Sequence, residues 1–264
     1  MTSLSNTANK TDKRAPILKF LSGYLTAAVA LLFAVYAAFS IMAITTGSSF
    51  LGAVRFKFSK TPGVLTLGEQ LIEVFSYLSP LLLAVAFFLI FFLQKKAPKI
   101  CAVFLSVAIL ASLSGITLFA CLNTYNIMDL FNTLSANTKY IGPEMKAYYT
   151  NTLIVLASYQ ILLPVFAGTL VRFASGVKKT LLTDTVDTGG ALPFAITNLL
   201  LAFWHIISLP LSSKLTTEYF QRSNTESTGY YISEITAILC ALLMGIFAYI
   251  YYLKGKKTNA KTSD

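Results

Sequence analysis

Gly68–Lys96 reads GEQLIEVFSYLSPLLLAVAFFLIFFLQKK. Val74 to Leu93 carries no charge, and Leu81 to Leu93 carries no polar side chain. About 20 such residues are what an α-helix needs to cross a hydrocarbon layer of about 30 Å. A helix bonds its backbone groups within the segment, so lipid leaves none unpaired. Lys95 and Lys96 end the run and mark one side of the membrane. The stretch therefore predicts a transmembrane helix, and the rest of the chain repeats the pattern.

Composition agrees. Hydrophobic residues make up 55% and charged residues 12% of 264 positions, where a soluble chain carries about 25% charge. The apolar runs predict six spans: 17–44, 71–93, 99–122, 150–173, 191–211 and 232–253. The fold expected is all-α, a polytopic membrane protein built as a six-transmembrane-helix bundle. Its parts are a polar tail at 1–16, a transmembrane domain at 17–253 and a basic tail at 254–264. The first run is longer than the 7–15 residues of a signal peptide's apolar region, so it reads as an uncleaved span.

The excess of 21 Lys+Arg over 11 Asp+Glu could suggest a nucleic-acid partner, but the cations lie in short blocks beside apolar runs, so none is expected. Lys10, Lys13, Arg14, Lys19, Lys95, Lys96, Lys99, Arg172, Lys178, Lys179, Lys254, Lys256, Lys257 and Lys261 fall on one side. Arg55, Lys57, Lys60, Lys139, Lys146, Lys214 and Arg222, half as many, fall on the other. The positive-inside rule then places both termini in the cytoplasm. That face carries the whole formal net charge of +10 and should favour anionic lipid head groups. The one N-x-S/T acceptor, Asn9-Lys10-Thr11, lies in the cytoplasmic tail, which leans toward a bacterial cell membrane.

Between the spans, Val54–Ser59 and Val64–Leu67 alternate apolar and polar residues around Thr61-Pro62-Gly63, predicting a small extracytoplasmic β-hairpin. Ile127, Leu130, Phe131 and Leu134 recur at helical spacing and predict a short interfacial helix. An echo between Ser76–Pro80 and Ser158-Tyr159 with Pro164 is too sparse to establish a three-fold repeat.

Close helix contacts in lipid use small side chains. Gly23, Ala27, Ala30, Ala34 and Ala38 in the first span, and Ala237, Ala241 and Gly245 in the sixth, are the expected packing seams. Polar residues at helical steps suggest a candidate cavity lined by Glu73, Tyr77, Tyr159, Gln160, Asn198, His205 and Glu234. Glu73 and Glu234 lie in first outer turns and the only histidine, His205, about two turns in, so they could converge in the outer third. Ionisable groups at such depth are costly and default to a functional reading. The bland reading is that both acids oppose helix dipoles at the head groups and that His205 anchors the interface beside Trp204.

Catalysis is not expected. One histidine excludes a two-His zinc motif. Ser114-Gly115 lacks the G-x-S-G context of intramembrane serine proteolysis, and Asp184 and Asp187 fit turn chemistry before Pro193. Three cysteines, Cys101, Cys121 and Cys240, fit packing. No metal or cofactor site is expected. Two function classes remain. One is a small permease, or membrane subunit of a transport complex, with an outward-facing polar cavity. The other is a non-transporting accessory or assembly protein that binds partner membrane proteins.

Overall fold

The structure is a computed structural model and describes residues 14–45, 67–136, 142–220 and 224–260. Every element within them is a helix, and the described residues contain no strand. In chain order the helices are α1 (Ala15–Leu21), α2 (Tyr24–Thr45), α3 (Leu67–Leu93), α4 (Pro98–Ala136), α5 (Pro143–Leu182), α6 (Ala191–Phe220) and α7 (Asn224–Ala260). The hairpin expected at 54–67 and the ends of both tails lie outside the described residues, except for Leu67, which opens helix α3.

Among the described residues six segments are long and apolar enough to cross a bilayer, the architecture of a multi-pass membrane protein. They pack as a closed ring in chain order: α2 on α3, α3 on α4, α4 on α5, α5 on α6, α6 on α7, and α7 back on α2. Large apolar side chains such as Leu31, Phe92, Leu110, Ile161 and Phe203 cover the outside of the ring. Exposed apolar surface of that kind is ordinary against lipid tails and marks no separate site.

Both ends of the described chain meet on one face. Arg14 donates to the carbonyl of Thr183 at 2.8 Å, and Asn259 near the end of α7 donates to that of Val186 at 3.4 Å. This is the terminal face; the opposite one is the distal face.

The first expected span is two helices. Ser22 and Gly23 break it, with the amide of Gly23 turned back to the carbonyl of Phe20 at 2.9 Å. A Cβ on Gly23 would sit 2.9 Å from that carbonyl oxygen, so the turn needs glycine. Gly23 thus serves the break. The break lets α1 fold its Ile17, Leu18, Phe20 and Leu21 inward, where all four are buried. Gln94 at the end of α3 clamps α1 by donating to the carbonyl of Leu18 at 2.6 Å.

Behind α1 the terminal half of the ring is filled by aromatic side chains. Phe247 of α7, fully buried, is the hub. Its ring lies 5.1 Å from Phe20 of α1, 5.4 Å edge-on from Phe87 of α3 and 6.4 Å edge-on from Phe173 of α5. Phe173 stacks on Phe194 of α6 at 4.8 Å. Offset and edge-to-face pairs of this kind stabilise beyond their buried area by about 0.5–1.5 kcal/mol each in aqueous proteins. The connection from α5 to α6 folds over this plug. Tyr251 bonds Thr180 at 2.7 Å and donates to the carbonyl of Asp187 at 3.2 Å. Arg14 also pairs with Asp184 at 3.1 Å.

Several helices outrun their expected bounds. α4 has 39 residues and α5 has 40, about 60 Å each at 1.5 Å per residue, twice the hydrocarbon thickness. The interfacial helix expected around Ile127–Leu134 is the continuation of α4. No glycine or proline lies between Gly115 and Gly142 to stop it, and Asn123, Asn126 and Leu130 are buried. Pro80 and Pro164 lie inside unbroken α3 and α5.

Candidate functional site: a histidine shared by a tyrosine and a glutamate

Three helices each contribute one side chain to a polar cluster in the distal half. His205 projects from α6, and its Nδ1 lies 3.2 Å from Oε2 of Glu234 on α7. The hydroxyl of Tyr159 on α5 lies 3.0 Å from the same Nδ1. Ser208, one turn along α6, sits 3.5 Å from that hydroxyl and donates to the carbonyl of His205 at 3.2 Å. The imidazole and the carboxylate are 22% and 21% exposed, so the helices enclose most of both groups.

Helical register explains the convergence. Asn198, Ala202, His205 and Ser208 recur at steps of three and four, one face of α6, and Asn198, Ala202 and Ser208 are buried on it. Close approach of α6 and α7 brings Glu234 within reach. A Cβ on Gly245 would lie 3.3 Å from the carbonyl oxygen of Ala195 and from Leu199, so Gly245 lets the two helices run nearly backbone to backbone. Tyr36 of α2 completes the surroundings. It hydrogen-bonds Ser40 and lies within electrostatic range of Glu234 and Tyr159.

Two atoms compete for one ring nitrogen, and this defines what the cluster can do. With a hydrogen on Nδ1, the ring donates to the Glu234 carboxylate. With Nδ1 bare, that nitrogen can only accept, and Tyr159 is the donor. Glu234 must then carry the proton itself if it is to stay bonded. Either way, one proton's position decides whether the ring holds α7 or α5.

The remaining predicted residues go elsewhere. Gln160 follows Tyr159 by one residue, about 100° around the helix, and faces α4. Asn123 of α4 donates to the Gln160 side-chain oxygen at 2.9 Å and to the carbonyl of Leu156 at 2.8 Å. Gln160 donates in turn to Thr124 at 2.8 Å. Asn198 donates to the carbonyl of Phe194 on its own helix at 2.8 Å. Glu73 and Tyr77 lie on α3, across the ring from the cluster's helices, and neither is a partner of His205. The structure thus brings together Tyr159, His205 and Glu234 and separates the other four.

Sequence reasoning passed over Tyr36 and Asn123. Tyr36 is the one residue with a hydrogen-bonding side chain between Thr26 and Ser40 of α2, a usable signal. Asn123 and Asn126 fell beyond the expected end of their span and read as loop. Among the seam residues, Ala30 is fully buried while Ala38 is exposed and Ala37 takes the buried place. Eight residues carry Ala38 about 80° past Ala30, whereas seven bring Ala37 back to within about 20°. Ala27, Ala34, Ala237 and Ala241 are half-buried.

Among the described residues no group of three or more His, Cys, Asp or Glu could hold a metal ion. No protein-family model matches the chain, and no curated protein or solved structure matches it.

Proposed function

We propose that this chain is a small permease, or the membrane subunit of a transport complex, in which Tyr159, His205 and Glu234 exchange a proton during transport. The observation that carries the reading is the chain's one histidine, held between a carboxylate and a phenol from two other spans. Ionisable groups inside a membrane are expensive and mark ion or substrate pathways by default. A proton arriving at the cluster changes which helices are tied, so its binding has a mechanical consequence within the bundle. Buried Ser79 Oγ, Asn123 Oδ1 and Trp204 Nε1, all in the distal half, have no partner. Such groups are normally satisfied by water or ligand, which supports a hydrated path from that side. The role is non-enzymatic.

Orientation follows the basic residues: termini in the cytoplasm and the cluster toward the outside, in a cell membrane of bacterial type. The filled terminal half then corresponds to an inward gate that is shut.

That filled half also favours a second reading, a non-transporting accessory or assembly protein with a solid interior. Cysteine labelling from the aqueous phase separates the two. In a variant lacking Cys101, Cys121 and Cys240, single cysteines replace Ser208 and Ala202, which lie on one face of α6. Reaction of both with a membrane-impermeant thiol reagent in intact cells is the outcome expected for a permease. Failure at Ala202 even after the reagent is given access from both sides would establish a packed bundle and the accessory role.

A further inference from the structure

A second site lies far from the histidine cluster, on the terminal face. A partly open cavity of about 350 Å³ is bounded by Arg14, Ala15 and Leu18 of the first turns, Gln94 and Lys95 at the end of α3, Pro98 at the start of α4, and Leu181. The lining is divided. Arg14, Gln94 and Lys95 supply polar groups, and the other four are apolar. Arg14 is held in place by the carbonyls of Thr180 and Thr183 and by Asp184, so its guanidinium presents an oriented positive charge that Asp184 partly offsets. Gln94 is 4% exposed. Its amide nitrogen must face the carbonyl of Leu18 at 2.6 Å, because an oxygen there would repel it. This assigns Oε1 as the other atom, and Oε1 has no hydrogen-bond partner.

We propose that this cavity binds a phosphodiester head group that also carries a hydroxyl, the chemistry of a phosphoglycerol. The phosphate pairs with Arg14 and Lys95, the hydroxyl donates to Gln94 Oε1, and the apolar wall of Leu18, Pro98 and Leu181 meets the glycerol backbone. Several features point to this class. Guanidinium and ammonium together suit a phosphate. An orphan acceptor calls for a donor on the same ligand, and an ionised phosphodiester has no P–OH of its own, so the donor is a hydroxyl elsewhere in the head group. A cavity of this volume lies at the lower end of ordinary small-ligand sites, about 300–1,000 Å³. Its position, at the end of a spanning helix between cationic and apolar walls, is that of a lipid head group. Occupancy would brace α1 against the α3–α4 turn and so hold the aromatic plug in place. The inference is independent of transport.

The test uses the purified full-length chain in phosphatidylcholine nanodiscs, titrated with phosphatidylglycerol and read by native mass spectrometry. One saturable phosphatidylglycerol per chain is expected, held more tightly than phosphatidylmethanol, a phosphodiester of the same charge with no hydroxyl donor. K95A should weaken it about fivefold, the equivalent of one basic contact at a membrane surface. K256A, which removes an exposed charge from the same face outside the cavity, should leave it unchanged. Gln94→Leu should erase the preference over phosphatidylmethanol. Should that variant loosen α1 and fail to fold, the K95A and K256A comparison still decides. Competition by soluble glycerol phosphate would support the pocket with its ligand drawn from solution; its failure would support lipid as the source. Equal weakening by K95A and K256A, or binding that never saturates, would overturn the site and leave only diffuse surface charge.

Discussion

His205 Nδ1 faces two partners that ask opposite things of it, and the consequences can be read one substitution at a time. Glu234→Gln removes the carboxylate charge but keeps a side chain of the same length. The amide oxygen can still accept from Nδ1–H, so the α6–α7 tie survives. Solute uptake driven by a proton gradient should fall at least tenfold in this variant, while its detergent-resistant folded fraction stays near that of the parent. Uptake unchanged by E234Q would remove Glu234 from the mechanism. Tyr159→Phe isolates the other arm, since it deletes the phenolic donor to a bare Nδ1 and leaves only a protonated Glu234 to supply one. It should slow transport while costing about 0.6 kcal/mol of stability, the average for an interhelical hydrogen bond in a membrane protein. Asn123 offers a control outside the cluster. Its amide makes two bonds to α5, but its Oδ1 is orphaned. Asn123→Leu should therefore destabilise by no more than about 1–2 kcal/mol in reversible unfolding in mixed micelles, and should lower uptake less than E234Q does.

Elements are set by backbone approach as much as by hydrophobicity, and the glycines separate these influences. At Gly115 a Cβ would lie 3.0 Å from Cβ of Phe75 on α3, whereas at Gly168 of α5 it would meet nothing within 4 Å. Gly168→Ala should stabilise by up to about 1 kcal/mol through helix propensity alone. Gly115→Val should cost about 1–3 kcal/mol by pushing α3 from α4. Thermal unfolding in one detergent, run side by side, checks the sign of both. The spans themselves were legible from the sequence because twenty uncharged residues have few alternatives, and Gly68–Lys96 shows this most plainly. The ends were less so. Nothing in Ile127–Leu134 says whether a polar turn precedes it, and the burial of Asn123 and Asn126 against a neighbour kept α4 going. The split of α1 from α2 was hidden because Phe20 and Leu21 are as apolar as the span they precede. Within the cluster, the face carrying His205 and Ser208 was readable from periodicity. Gln160 was not separable from Tyr159 without knowing which neighbour lay on each side of α5.

At the scale of the whole molecule, the ring has two unlike halves, and the difference follows from where the aromatics and the polar groups fall along each span. Phe20, Phe87, Phe173, Phe194 and Phe247 meet in the terminal half, while Tyr159, His205, Glu234 and Asn123 lie in the distal half. A closed ring with one end stoppered can pass a solute only if the stopper moves, and the part best placed to move is α1. It is short, it joins α2 through the Ser22-Gly23 break, and it is held by Gln94, Arg14 and the Phe20–Phe247 contact. Phe20→Ala removes the ring that α1 sets against the hub. By analogy with other buried aromatic deletions it should cost about 3–5 kcal/mol where the site cannot collapse, and less if α1 shifts inward. The more telling result is accessibility. In F20A, a cysteine at Ala248, buried one residue beyond Phe247, should become reactive to reagent supplied from the terminal face, and in the parent it should not. Reaction in both would mean that the aromatic half is not a seal. Protection in both, with F20A folded, would place the barrier in the Phe87–Phe173–Phe247 contacts themselves and leave α1 as a strut, so the moving part of any transport cycle would have to be a whole span.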